Sequence, residues 1–368
     1  MNNKNIYKAV PQWDETKERF ISWWAGGSLG SPLIRIVAKN PAGADSPEPP
    51  SPSDPQDFHL NGDYHLAKTR NGLSSDRYLA DAFPHTTVNM GAGSLALYIG
   101  SEPVFDFNTV WFNEFVENWK TTPRFEYNEK NPWWILHQEI IRKMVKSARG
   151  EFYIDIPDII ENLDILASVR GAQNLCIDLM DCPEEISRRI DEINSIYFNY
   201  YNRMYDIVKD TDGSSSYTAF SVWGPGKTVK LQSDFSAMMS PDQFKDMVVP
   251  SLRHQCINTD SSVYHLDGPD AIRHVDSLMS ISELNALQWT AGAGHPDGGW
   301  EGWFDIYRKV RKAGKALHIS IYDGSTDEIY DRADNIIRAV GRDGIYFLFP
   351  SMELNTADAF LEKARKNW

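Results

Sequence analysis

Cysteine is scarce in this chain. Three thiols, Cys176, Cys182 and Cys256, are spread over 368 residues with no CxxC pair. That excludes a disulfide framework or a thiolate zinc knuckle and fits a reducing compartment. Long apolar runs are missing too; none approaches the eighteen residues that a helical membrane span needs. Positive charge is in deficit, with 37 Lys and Arg against 51 Asp and Glu for a net charge of −14. Such a surface repels phosphate backbones and anionic lipids, so neither nucleic acid nor a membrane is an expected partner. The opening stretch MNNKNIYKAVPQWDETKERF lacks the apolar core of a secretory signal, and the expected location is the cytoplasm. No GxGxxG follows the first strand-like run, which argues against an open dinucleotide-binding sheet. In Trp223-Gly224-Pro225-Gly226-Lys227-Thr228 a P-loop would need glycine five residues before Gly226, and Ser221 stands there.

What is present is an alternation of short apolar runs and longer amphipathic ones. A helix is predicted over 14–25, carrying Phe20, Ile21, Trp23 and Trp24, and a buried strand over 32–37. The Pro-, Ser- and Asp-rich stretch 40–57 is too polar to pack and reads as an excursion. A helical stretch near 60–82, a strand at 83–89, a helix at 132–149, a strand at 152–157 and a long helix at 183–209 follow. The second half is more regular. Strands are predicted at 217–223, 262–267, 286–289, 316–322 and 344–349, with helices at 241–258, 270–279, 301–313, 326–340 and 356–366. Alternating buried strands and helices imply a parallel sheet. The expected fold class is α/β, as a single (β/α)8 TIM barrel over residues 1–368 with an N-terminal helical extension.

In such a barrel the working side chains stand at the C-terminal ends of strands and in the loops that follow. The most informative stretch is SVYHLDGPDAIRHVD, 262–276. Residues i and i+2 of a strand share a face, so His265 and Asp267 can address one point in space. An ionisable group in a buried strand is costly unless paired or used. The competing reading makes Asp267 a turn starter before Gly268-Pro269 and His265 an interior histidine. Asp234, flanked by small residues in LQSDFSA, and His318, in ALHISIY, are further catalytic candidates; a turn aspartate and a satisfied core histidine are their plainer alternatives. His85, Asn89, Trp223, Trp289, His295 and Tyr322 are candidate substrate contacts. The tryptophans would supply apolar walls, and TAGAGHPDGGW, 290–300, would be a lid or simply a flexible connection.

Four stretches carry a resemblance: SAMMSPDQFKDMVVPSLR at 236–253, YHLDGPDAIRHVDSL at 264–278, NALQWTAGAG at 285–294 and IYRKVRKAGKALHIS at 306–320, with a weaker echo in NLDILASVRGAQNLCIDLMDCPEEI at 162–186. Together they resemble the uroporphyrinogen decarboxylase superfamily over about two hundred residues. The resemblance implies a barrel and one of two chemistries. One is metal-free decarboxylation of a tetrapyrrole, which uses an arginine-rich N-terminal motif; here Arg35 is the only basic residue in the first strand. The other is zinc-dependent methyl transfer linked to a corrinoid protein. Its His-x-Cys motif aligns with His265-Leu266-Asp267, so Asp267 replaces a thiolate, and the last strand ends in FPSME without the family's second Cys. A set of His265, Asp267 and Glu353 would favour a harder ion than zinc, weaker zinc, or no metal. The resemblance therefore leads to an enzyme acting on a small or medium organic substrate, with methyl transfer first, a metal-free decarboxylase or other lyase second, and a catalytically retired binding subunit third. A corrinoid protein as methyl carrier and a homodimer are the implied partners.

Overall fold

The structure, a computed structural model, describes residues 5–40 and 48–368. Part of the Pro-rich excursion, 41–47, therefore lies outside the described residues. Its end forms the helix Pro55–Leu60, started by Asp54, whose side chain accepts from the Asp57 amide.

Eight strands organise the chain: β1 Leu33–Lys39, β2 His85–Thr86, β3 Tyr153–Ile154, β4 Thr228–Gln232, β5 Ser261–Asp267, β6 Ala286–Thr290, β7 Ala316–Ser320 and β8 Ile345–Leu348. β4, β5, β6, β7, β8 and β1 pair in that order, every neighbour parallel. β2 and β3 form a second parallel pair, and Ile156 bridges in parallel to Tyr217. Helices cover the sheet, and one continuous apolar core joins residues from both halves of the chain. This is a mixed α/β fold with a parallel central sheet, an arrangement compatible with a barrel.

Register fixes which side chains meet. Gln232, His265, Gln288, His318, Tyr346 and Leu33 stand opposite one another across successive strands. Because strand side chains alternate between faces, these residues form one polar-rich belt on one side. Their neighbours Leu266, Trp289 and Ile319 point into the helical layer.

Local chemistry explains several helix starts. Ser240 and Ser325 each make a capping box, with Gln243 and Glu328. Pro132 and Pro183 occupy first turns, where a missing amide hydrogen costs nothing. The helix Trp13–Trp24 lies against the N-terminal part of the strands: Trp23 Nε1 donates to Leu317 O at 3.2 Å, and Phe20 and Trp23 both pack on Tyr346.

Three segments depart from the pattern predicted from sequence. The helix expected over 60–82 ends at Ser75, and Asp76–Ala80 turns back as a strand antiparallel to β1. The strand expected at 217–223 is instead a hairpin, Ser215–Tyr217 against Val222–Gly224. β4 takes the place in the sheet expected for that strand. It alternates Val229 and Leu231 with inward Lys230 and Gln232, so its apolar signal is diluted.

Arg19 ties the first helix to the sheet. Its Nε donates to Asp81 Oδ1 at 2.6 Å and one terminal nitrogen to Asp81 Oδ2 at 3.0 Å; that carboxylate also accepts from the Ile34 amide. Removing one member of a buried pair strands the other charge. Arg19→Met is expected to lower stability by about 3 kcal/mol in urea unfolding.

Candidate functional site

β5 ends in His265 and Asp267, and Gln288 on β6 determines what His265 can do. The Gln288 amide NH2 donates to Trp289 O and to Thr290 Oγ1, both at 2.8 Å. Its Oε1 is thereby turned toward His265 Nδ1, 2.5 Å away. A carbonyl oxygen only accepts, so Nδ1 carries the proton and donates. In the neutral ring, Nε2 is then left with a free lone pair. It faces Asp267, with Nε2 4.0 Å from Oδ2. Burial, with help from the nearby Lys230 ammonium, pushes the His265 pKa down, which keeps the ring neutral.

Asp234 completes a triangle. One ligand atom from each of Asp234, His265 and Asp267 lies within 4.8 Å of the others. Asp267 is half-buried, and its Oδ1 is enclosed with no hydrogen-bond partner. Asp234 is exposed to solvent, yet its carboxylate is crowded by neighbouring charges. Gln232 Nε2 donates to Oδ2 at 3.0 Å, and desolvation with the neighbouring Asp164 carboxylate pushes its pKa up to about 8. The Asp164 carboxylate itself is held by the amides of Asp234 and Phe235, each at 2.9 Å, and by Gln232 Nε2 at 3.0 Å. Below the triangle the buried Lys230 ammonium pairs with Asp158 at 2.9 Å and contacts Gln232 Oε1. Tyr217 OH also donates to Asp158, at 2.9 Å.

No protein-family model and no curated protein matches this sequence. Among solved structures, a methyltransferase from Methanosarcina mazei shares the fold. The TM-score is 0.59 at 12% identity, covering 95% of this chain and 98% of that one. At that identity the likeness is one of fold.

The remaining sequence candidates are dispersed. His318 is fully buried; its Nε2–H donates to Phe220 O at 2.9 Å, and burial drives its pKa down to about 4. Glu353 is exposed beside β1, opposite Lys39, and is not one of the clustered groups. His85 is bound to Asp155 and Ser221. Asn89 is half-buried, and its Oδ1 has no partner. Trp223 packs beneath the belt on Trp13 and Phe20. Trp289 faces the helices and meets Trp303 edge-on. His295 and Tyr322 are exposed. Asp297, in the loop after β6, is an internal brace: it accepts from the amides of Gly299, Tyr322 and Asp323 and from Arg332. No helix among the described residues is long and apolar enough to cross a membrane.

Sequence reasoning passed over Gln288, Gln232, Lys230 and Phe220. The first three are isolated polar residues inside strands, and their costly burial was the available signal. Phe220 gave none. It lies at the hairpin turn with its ring 5.1 Å from that of His265 and 5.4 Å from that of His318, so the hairpin reaches the belt.

The raised Asp234 pKa sets a pH dependence. The folded carboxyl holds its proton more tightly than the unfolded one, so stability falls as pH rises from about 4, the unfolded value, to about 8, the folded one. Asp234→Asn removes that loss. Without added metal, its unfolding midpoint is expected to match wild type near pH 4 and to exceed it near pH 8 in paired denaturation curves.

Proposed function

We propose that this chain is an enzyme whose eight strands close into a (β/α)8 barrel resembling the uroporphyrinogen decarboxylase superfamily, and that it transfers a methyl group between a small organic substrate and a corrinoid protein. The observation that carries the reading is the convergence of the His265 Nε2 lone pair with the Asp267 and Asp234 carboxylates at the C-terminal ends of parallel strands. Catalytic groups sit at that end in barrel enzymes. The fold shared with a protein described as a methyltransferase supports the reaction class by analogy.

These residues fit a divalent cation. A neutral imidazole, fixed in tautomer by a second hydrogen bond, is the usual form of a histidine ligand. The unpartnered Asp267 Oδ1 is a buried acceptor that a cation would satisfy. His265 and Asp267 would hold the ion, with Asp234 as the third ligand. Two carboxylates and one nitrogen suit a harder ion than a thiolate set would. Bound there, the ion would supply Lewis acidity toward a substrate heteroatom. The chain's own work is to hold the ligands in place through Gln288 and Asp164, with Lys230 offsetting the clustered negative charge.

A second reading has its own support. The pKa of Asp234 is pushed up to about 8, which favours its carboxylic acid form at neutral pH, while that of His265 is pushed down, which favours the neutral ring. That pair can give and take a proton without metal, as a decarboxylase or other lyase requires.

Metal binding separates the two. Saturation with Mn²⁺ or Zn²⁺ at a hundred times the dissociation constant is expected to stabilise the protein by about 2.7 kcal/mol, seen as a rise in melting temperature. His265→Ala and Asp267→Asn should lose that rise, together with metal-dependent methylation of reduced cobalamin by a methylated thiol or amine. An equal rise in wild type and both variants would remove the metal from this site and leave the acid–base reading.

A further inference from the structure

A second set of reactive side chains shares no residue with the acidic triangle. Asp155 is buried at the end of the segment that continues β3. Its Oδ2 accepts from His85 Nδ1–H at 2.7 Å, and its Oδ1 accepts from Ser216 Oγ–H. A carboxylate only accepts, so His85 carries its proton on Nδ1 and presents a lone pair at Nε2. Ser221 Oγ lies 2.9 Å from that lone pair and donates to it. The carboxylate–imidazole–hydroxyl relay is complete, with each distance in the range of a formed hydrogen bond.

Two observations set this relay apart from an ordinary buried polar network. First, Ser221 and the preceding Phe220 both have left-handed backbones, with φ of 51° and 65°. Neither is glycine, and consecutive residues in that region are strained. The strain is held by Tyr346 OH, which donates to Ser221 O, and by His318, which donates to Phe220 O. The hairpin turn is thereby held so as to present one hydroxyl to one imidazole. Second, His85 lines a cleft of about 430 Å³ together with Arg35, Lys39, Lys68, Tyr78 and Ser351. Lys39 is paired with Asp76. Arg35, by contrast, has a buried Nε with no hydrogen-bond partner among the described residues.

We propose that Ser221, His85 and Asp155 form an acyl-transfer site that hydrolyses small carboxylate-bearing esters, with Arg35 binding the carboxylate. Ser221 Oγ bonds to the ester carbonyl carbon as its proton passes to His85 Nε2. The carbon–oxygen bond to the alcohol then breaks, and His85 returns the proton to the departing alkoxide. Water repeats the sequence on the acyl-serine: its proton goes to His85, its oxygen to the acyl carbon, and Ser221 recovers its hydroxyl. The net reaction is ester plus water to acid plus alcohol, with no oxidant or further reactant. Asp155 acts through His85 as a positioning residue, fixing its tautomer. Ser221 is only 8% exposed and does not itself line the cleft, so a substrate must reach it past His85, which restricts the site to small acyl groups.

The test uses the full chain with a small alkyl fluorophosphonate, and with p-nitrophenyl acetate and mono-p-nitrophenyl succinate as esters. Intact and peptide mass spectrometry should place one phosphonyl adduct on Ser221. Ser221→Ala should lose the adduct and at least 100-fold in ester turnover, His85→Gln should lose a similar factor, and Arg35→Met should raise KM for the succinate ester about tenfold. Melting curves check that each variant folds. Ser221→Cys gives an independent readout: its new thiol should react with iodoacetamide at least tenfold faster than the three native cysteines. An adduct on another residue, no adduct at all, or ester turnover by folded Ser221→Ala at the wild-type rate would overturn the proposal. A new thiol in Ser221→Cys that reacts no faster than the native ones would do the same.

Discussion

A single hydrogen bond, from His265 Nδ1–H to Gln288 Oε1, governs what the acidic triangle can do. Were the Gln288 amide reversed, its NH2 would face Nδ1, and the proton would move to Nε2, toward Asp267. The ring would then be a donor to a carboxylate rather than a ligand or base. The reversal is blocked because that NH2 is already committed to Trp289 O and Thr290 Oγ1. The strand register makes this possible. β5 and β6 align so that His265 and Gln288 are direct partners, and a slip of one residue would put Trp289 there instead.

Charge balance is the second requirement. Asp158, Glu161, Asp164, Asp234 and Asp267 gather around one buried ammonium, Lys230. A cluster of carboxylates with so little compensation resists full ionisation, and desolvation together with this crowding pushes the pKa values of the buried Glu161 and of Asp234 up. A divalent cation would settle the crowded charge differently, by favouring ionisation of Asp234. The proposed methyl transfer with metal and the alternative proton transfer without it are thus two answers to one electrostatic problem.

Much of this was legible in the sequence, and the rest was hidden for physical reasons. β5 through β8 were clear because each is a short apolar run between helical patterns. His265 and Asp267 followed from i, i+2 spacing, and Asp234 from its small neighbours. β4 was obscured because its inward face carries Lys230 and Gln232, so it lacks the continuous apolar run of a buried parallel strand. The hairpin at 215–224 was misread as one strand because its turn holds Phe220 and Ser221 in a left-handed conformation that normally signals itself through glycine or asparagine. Trp289 and Trp223 looked like pocket walls, but alternation turns Trp289 toward the helices, and Trp223 serves the aromatic packing under the sheet. Glu353 lies on the far side of β1, and β8, β7 and β6 stand between β1 and β5 along the paired sheet. Sequence order along the chain did not convey that separation.

The chemistry of the triangle turns on the protonation of one ring nitrogen, and a long-range ¹H–¹⁵N spectrum of the histidine side chains reads it directly. With the His265 signals assigned by comparison with His265→Gln, the account requires the neutral tautomer with hydrogen on Nδ1 and an unprotonated Nε2 at pH 7. A His265 ring carrying its proton on Nε2, or charged at that pH, would contradict it.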